Sequence, residues 1–187
     1  PLLVWANFST SLLVVIATPF VAASQFMVLL DRALGFNFFD AANGGGVLLC
    51  PPVFWFYSHP AVYIMILPAF GIVSEIIPVF SRKPIFGYPF MVFSGLAIGF
   101  MGWGVWAHHM FASGMGPMSV TAFSMATMFI AVPTGVKILN WLATLYGGRI
   151  RYTCAMLFSL GLVSMFTIGG LSGVTHAFAP ADTQQTD

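Results

Sequence analysis

Residues 51–80 read PPVFWFYSHPAVYIMILPAFGIVSEIIPVF, an apolar run in which Glu75 is the only Asp, Glu, Lys or Arg. A membrane-spanning helix needs about 20 mostly apolar residues, and this run is longer than that. Inside a lipid bilayer every backbone N–H and C=O must find its partner within the segment, which favours an α-helix. The run therefore predicts a helix that crosses a membrane.

Four further runs meet the same criterion, so the sequence predicts an all-α fold: a polytopic transmembrane helix bundle, about five spanning helices in a single domain over 1–187. Only 6% of the residues are charged, whereas a soluble domain carries about 25%. A soluble helical bundle is the weaker alternative, because so few charges could not cover a surface in water. The predicted spans are about 2–30, 51–80, 85–112, 117–146 and 152–174.

The net charge of +1 leaves no basic patch for phosphates, which argues against a nucleic-acid partner. The chain begins at Pro1 rather than Met, its first apolar run is already under way at Leu2, and no signal peptide is recognisable. We therefore expect an internal fragment of a longer membrane protein.

Basic residues in the connectors predict which side of the membrane each connector faces, because cytoplasmic loops are enriched in Lys and Arg. Arg82 and Lys83 follow the second span, and Arg149 and Arg151 follow the fourth. The connector after the first span has only Arg32 as a basic residue, and the one after the third has none. Spans two and four are therefore expected to end on the cytoplasmic side.

Three histidines are predicted to lie at one depth in the outer part of the membrane. His59 lies about eight residues from the outer end of its span, roughly 12 Å deep at 1.5 Å per residue. His108 and His109 close the third span, which runs outward. Three imidazoles at one level suit a transition metal, and copper is a natural candidate, although hydrogen-bonded packing residues are the alternative. Adjacent histidines on a regular helix point about 100° apart, so both bind one ion only if the helix end faces it or the turn is distorted.

A series of polar groups continues from these histidines toward the inner surface. Tyr63 follows His59 by four residues and shares its helix face, although an ordinary buried tyrosine fits that spacing too. Lys137 lies deeper in the fourth span, with Thr134 on the same face, and Ser74 lies near the inner end of the second span. Together these groups are expected to form a polar ladder for protons, unless Lys137 merely extends to the membrane interface.

Two further ionisable residues receive no assigned role from the sequence. His176 is expected in an outer loop after the fifth span, as a surface histidine. Glu75 lies near the inner end of the second span, and its position fits either a proton-entry residue or a solvated helix end.

Four segments carry a family resemblance: WFYSHPAVY at 55–63, WAHHMF at 106–111, PTGVK at 133–137 and WLATLYGG at 141–148. The first resembles the copper-ligand segment and the second the di-histidine segment of subunit I of haem–copper oxygen reductases, the cytochrome c oxidase superfamily. The last two resemble the lysine-channel helix of the same subunit. The resemblance extends over essentially the whole chain, in order and with similar spacing.

The resemblance implies a copper ion bound by His59, His108 and His109, and a Tyr63 that is covalently linked to His59 and donates to bound oxygen. The implied reaction is the four-electron reduction of dioxygen to water, coupled to proton pumping. The implied partners are other oxidase subunits, membrane lipid and an electron donor, for which cytochrome c is expected and quinol stays open.

The resemblance also implies one proton channel lined by Ser74, Thr134 and Lys137. Many members carry a glutamate at the end of a second channel, where this chain has Ala61. The pair Tyr57-Ser58 resembles a variant branch in which these two hydroxyls replace that glutamate. This departure points to a bacterial member, located in the inner (plasma) membrane as a multi-pass protein.

In the family, the histidines that bind haem lie before Pro1 and just after Asp187. We therefore expect haem as a cofactor whose ligands lie outside this chain, and this chain alone is not expected to reduce oxygen. Asp187 itself resembles an acidic position near an outer magnesium site, although Thr186 stands where many members have a metal-binding histidine.

Three other functions are consistent with parts of the pattern. A nitric-oxide reductase of the same superfamily would lack the His–Tyr pair and the channel lysine, so Tyr63 and Lys137 argue against it. A non-catalytic copper-binding or copper-transport protein would need the histidines but not Tyr63. A membrane scaffold without chemistry does not explain the matched depth of the histidines.

Overall fold

The computed structural model describes residues 1–181, without the side chains of residues 47 and 50. Asp187 and Thr186 lie outside the described residues. Over 1–181 the fold is all-α without strands, as predicted. The α-helices of this part are α1 (Leu2–Leu34), α2 (Cys50–Ser81), α3 (Tyr88–Met101), α4 (Pro117–Phe129), α5 (Ala131–Leu145) and α6 (Cys154–Ala177).

Four helical stretches of the described chain are long and apolar enough to cross a membrane, Leu2–Leu34, Pro51–Ser81, Pro117–Leu145 and Cys154–Ala177. Their outer faces are rich in exposed large apolar side chains, such as Val15, Met65 and Phe158. An apolar surface of this extent is rarely exposed on a protein in water, and it is suited to contact with lipid. The length and composition of these helices thus agree with a membrane protein.

The third predicted span differs from the structure, which has no continuous helix over 85–112. The α-helix α3 is only 14 residues long, about 21 Å at 1.5 Å per residue. Two 3₁₀ turns follow it, Gly102–Gly104 and Trp106–Met110. The two glycines of the first turn favour a helix poorly, and Val105 has a non-helical backbone with φ −125° and ψ −1°. The α-helical hydrogen-bond ladder therefore ends before the histidine pair.

The fourth predicted span is divided in the structure between α4 and α5, which meet at Ile130. Pro133 explains the break, because proline has no N–H to donate to the carbonyl of Phe129 and its ring clashes with that carbonyl.

A carboxylate anchors the connector that returns the chain from α1 to α2. Asp31 accepts hydrogen bonds from the backbone N–H groups of Phe38 at 2.9 Å and Phe39 at 3.0 Å. Asp40 accepts a hydrogen bond from the Asn43 side chain at 2.7 Å and one from the Ala42 N–H at 3.0 Å. These two hydrogen bonds hold the pKa of Asp40 below its usual value. The connector is thus fixed by local polar contacts.

The two basic connectors lie together at one end of the bundle. Arg149 N–H donates to the Ser81 carbonyl at 2.8 Å, and Arg151 N–H donates to the Phe80 carbonyl at 2.8 Å. The Lys83 ammonium donates to the carbonyl of Ala143 at 2.7 Å and to that of Tyr146 at 2.6 Å, and so caps the C-terminal end of α5. Their common end agrees with the predicted sidedness.

We expect Lys83→Met to lower the free energy of unfolding by about 1.5–3 kcal/mol, because hydrogen bonds from the ammonium to the last carbonyls of α5 are lost. The measurement is denaturant unfolding of the full-length subunit in detergent. Arg149→Met is the matched control, since Arg149 is an exposed cation in the neighbouring connector. Equal destabilisation by both variants would show that the charge alone matters, and not the cap.

Candidate metal centre

Three histidines converge in the interior of the described structure. His59 is buried in the middle of the bundle on α2, and His108 and His109 lie half-buried in the turn Trp106–Met110. One ligand nitrogen from each residue lies within 4.8 Å of those of the other two. His59 Nδ1 is 3.2 Å from His109 Nε2. The structure therefore brings together the three imidazoles that the sequence places at one depth.

Two adjacent imidazoles meet in the 3₁₀ turn that follows α3. A 3₁₀ helix has about 3.0 residues per turn, so successive residues point about 120° apart and the turn alone does not align the two rings. The His108 and His109 ring centroids are 4.4 Å apart, and each lies close to the His59 ring, at 4.5 Å and 5.3 Å respectively. The two rings thus meet in a turn that departs from a regular α-helix, a condition predicted from the sequence for two adjacent histidines to bind one ion.

A tryptophan stacks on the outer side of the histidine cluster. The Trp55 ring lies 3.8 Å from the His109 ring, with an angle of 6° between their planes. Trp55 precedes His59 by four residues, so both side chains project from the same face of α2. The stacked indole restricts the rotation of the His109 ring.

A threonine orients the His108 ring. The hydroxyl of Thr127 donates to the Phe123 carbonyl at 2.6 Å, and its oxygen lies 3.0 Å from His108 Nδ1. With the hydroxyl proton committed to the carbonyl, the oxygen accepts a hydrogen bond from His108 Nδ1–H. His108 Nε2 is then left as the ligand atom, an arrangement typical of metal-bound histidines.

Tyr63 packs beside the cluster. Its ring centroid is 4.6 Å from that of His59, with an angle of 69° between the rings. A Cβ at position 102 would lie 2.8 Å from Tyr63 Cδ2, so Gly102 is the residue that lets this ring approach the backbone. His59 Nε2 is buried and has no hydrogen-bond partner among the described residues.

The residues of this cluster fit a copper ion. Three neutral imidazoles form a nitrogen-rich donor set that suits copper, zinc and iron. Nitrogens that each lie about 2.0–2.1 Å from one ion are about 3 Å apart, and the nearest pair here is 3.2 Å apart. An unpaired polar atom in an apolar interior costs roughly 1–3 kcal/mol. The buried, partnerless nitrogen of His59 therefore indicates a chemical role rather than packing.

A large cavity of about 780 Å³ lies beside the histidines. Its wall is mostly apolar and comes from α2, α3, the histidine pair, α4, α5 and α6. Its polar side chains are Tyr63, His108, His109, Thr127, Thr134 and His176.

His176 is therefore a correction to the sequence prediction. It lies within the last turn of α6, not in a loop after it, and it lines the large cavity, although its side chain is exposed. The prediction went wrong because the hydropathy of the sequence falls at Thr175 and His176, whereas the helix continues to Ala177.

The predicted polar ladder is divided between two cavities. Tyr63 and Thr134 line the large cavity, whereas Ser74 and Lys137 line a separate cavity of about 20 Å³, which has room for about one water molecule. Phe70 is buried and lines both cavities.

The two inner members of the ladder are buried and hydrogen-bonded. Lys137 donates to the Met91 carbonyl at 2.9 Å, with its ammonium 5.7 Å from the centre of the Phe70 ring. Ser74 accepts a hydrogen bond from Trp141 Nε1 at 2.9 Å. Lys137 is only 5% exposed, so it does not extend to the surface of the described structure.

The remaining predicted residues lie apart from this centre. Tyr57 and Ser58 are half-buried on α2 and do not line either cavity. Glu75 is exposed, and its carboxylate accepts a hydrogen bond from the Leu3 N–H at 3.3 Å. The structure thus gives Glu75 a contact with α1.

Sequence reasoning missed Thr127, Trp55 and Phe70. Thr127 lies seven residues before Thr134, a spacing of two helical turns that places both on one face, so a search for further polar residues on that face would have found it. Trp55 and Phe70 carried no signal of their own, because aromatic residues are common throughout this chain, at 16%.

The fold and the site define a class, a helical membrane protein with a three-histidine centre beside a large apolar cavity. The sequence profile described as "Cytochrome C and Quinol oxidase polypeptide I" matches residues 1–187, and the chain belongs to this family.

Curated relatives over the whole chain include three bacterial proteins, each named cytochrome c oxidase subunit 1. The chain is 54% identical to that of Thermostichus vulcanus, 49% to that of Bacillus subtilis (strain 168) and 46% to that of Cereibacter sphaeroides. It covers 34%, 30% and 33% of their respective lengths, so it spans about a third of the relatives that it matches.

We expect Thr127→Val to lower the copper affinity of the full-length subunit by about 10–100-fold, because the acceptor that orients His108 is lost while the side-chain volume is kept. Copper retention against a competing chelator measures this change. Thr121→Val is the control, since Thr121 is exposed on the same helix. Unchanged retention in the Thr127 variant would contradict an orienting role.

Proposed function

We propose that this chain is the copper-binding part of the catalytic subunit of a haem–copper terminal oxidase, which reduces dioxygen to water and pumps protons. The observation that carries the proposal is the meeting of three imidazole nitrogens within 4.8 Å, beside a large apolar cavity. Membership of the oxidase family supports it.

In this proposal, His59, His108 and His109 bind the copper ion, and the large cavity takes a haem whose ligands lie outside this chain. The bound metals supply the electrons for dioxygen reduction. The histidines hold the ion through His59 Nδ1, His109 Nε2 and His108 Nε2. These atoms are favoured because Thr127 occupies His108 Nδ1 and because His59 Nδ1 and His109 Nε2 face each other.

We also propose that Tyr63 is covalently joined to His59 through Nε2 and donates a proton and an electron to dioxygen. The link would replace the imidazole N–H and one C–H of the phenol ring, which releases two electrons and two protons that dioxygen can accept at this site. The buried, partnerless His59 Nε2 and the 4.6 Å separation of the two rings support this assignment.

The proposed proton route runs from Ser74 and Lys137, through Thr134, to Tyr63. The first two residues line one cavity and the last two another, and Phe70 lines both, so we propose that the route runs beside the Phe70 ring. The Lys137 ammonium lies 5.7 Å from the centre of that ring, and its flexible four-carbon side chain can move the proton-carrying ammonium. Tyr57 and Ser58 are proposed for the second route.

We propose the bacterial inner (plasma) membrane as the location, with the subunit passing through it several times, and other oxidase subunits and lipid as partners. Cytochrome c is the proposed electron donor, since the relatives named above are cytochrome c oxidases. Quinol is the alternative donor, since the family description includes both kinds of oxidase.

We expect Tyr63→Phe in the full-length complex to reduce oxygen consumption by at least about 100-fold, because the acidic hydroxyl group is removed. Oxygen uptake is measured beside copper content, which should stay unchanged. Tyr152→Phe serves as the control, since Tyr152 is exposed in the connector before α6. Normal oxygen uptake by the Tyr63 variant would refute the role of its hydroxyl.

We expect Lys137→Met to slow the reduction of the metal centre by roughly tenfold or more, because a proton carrier is lost while the length of the side chain is similar. Stopped-flow absorbance follows the reduction. Leu139→Met introduces the same side chain at an exposed position of α5. If reduction of the Lys137 variant stays as fast as that of this control, Lys137 has only a structural role.

A further inference from the structure

His176 is an ionisable residue in the wall of the large cavity for which the proposed mechanism has no use. It lies in the last turn of α6, away from the three-histidine cluster in sequence, and its side chain is exposed at the rim of the cavity. The part of the wall that comes from α6 otherwise consists of Phe166, Gly170, Gly173, Val174 and Ala177. His176 is therefore the only polar side chain that α6 contributes to the wall.

The helix itself fixes the orientation of the His176 ring. Its Nδ1 lies 2.8 Å from the Ser172 carbonyl oxygen, one turn earlier. A carbonyl oxygen only accepts, so Nδ1 carries a proton and donates it. Nε2 is the ring atom that remains for a ligand, as a donor when the imidazole is protonated.

The wall beside His176 suits a flat ligand. A Cβ added at Gly170 or at Gly173 would meet no other atom within 4 Å, so both glycines face open space and leave the helix surface flat. Phe166 and Val174 extend this surface with apolar groups. A planar tetrapyrrole can lie against such a face, but its carboxylate groups cannot be buried there without a partner.

We propose that His176 binds a carboxylate group on the edge of the tetrapyrrole that occupies this cavity, through a charge-assisted hydrogen bond from Nε2–H. This inference rests on the proposed function. Two features of the position favour the contact. His176 is exposed, so a carboxylate beside it keeps some of its hydration, and the C-terminal end of a helix stabilises a cation.

The test uses the full-length subunit in its complex with bound haem, and three variants. His176→Leu removes the donor, His176→Lys keeps a cation, and Thr175→Val alters the neighbouring exposed residue, which does not line the cavity. The first measurement is the rate of haem transfer to apomyoglobin. The second is the infrared redox difference spectrum, with isotope-labelled haem carboxylates.

We expect His176→Leu to lose haem about tenfold faster and to shift the labelled carboxylate bands, since a hydrogen bond to a charged group is removed. His176→Lys should restore most of the retention, and Thr175→Val should match the unchanged protein. Equal copper content in all variants shows that the bundle assembles. Should His176→Leu not assemble, His176→Gln, which keeps the size and a neutral donor, should show a smaller effect in the same direction.

Two results would overturn this inference alone. One is unchanged haem loss together with unchanged carboxylate bands in His176→Leu. The other is a change in the spin state of the iron, which would make His176 an iron ligand. An unaltered complex that holds no haem would overturn the proposed function, and this inference with it.

Discussion

The cost of burying imidazole groups in an apolar bundle governs the centre of this structure. Each unpaired polar atom costs roughly 1–3 kcal/mol in such a place, and the three histidines bring six ring nitrogens together. Thr127 satisfies one of them, and two others face each other at 3.2 Å. His59 Nε2 has no partner among the described residues. The proposed metal ion shared by three nitrogens, with the proposed link from His59 Nε2 to Tyr63, would give these atoms the partners that packing does not.

The chain departs from regular α-helix where it carries the histidine pair. It leaves the α-helical ladder after Met101 and continues in 3₁₀ turns. Gly102, the first residue of these turns, leaves space for the Tyr63 ring.

The two cavities give the proposed proton chemistry a spatial order. Lys137 and Ser74 line a space for about one water molecule, and the His108–His109 pair and Tyr63 line the other, larger space. Phe70 lies between them, held by edge contacts to Trp141 and Phe166 with ring centroids at 5.3 Å and 4.9 Å. In the proposed route, a proton passes beside this apolar ring, and the flexible lysine side chain is the proposed carrier.

The sequence by itself determined the helical fold and the presence of long apolar helices, and it predicted a common depth for His59, His108 and His109. Hydropathy and spacing along one helix are local properties, and they need no knowledge of neighbours. The tertiary structure alone decided that Thr127 orients His108, that Trp55 stacks on His109 and that Phe70 separates Lys137 from Tyr63. It also placed His176 in the cavity wall. These are contacts between helices distant in sequence, and their existence depends on helix packing and on the breaks at Gly102 and Pro133, which hydropathy does not register.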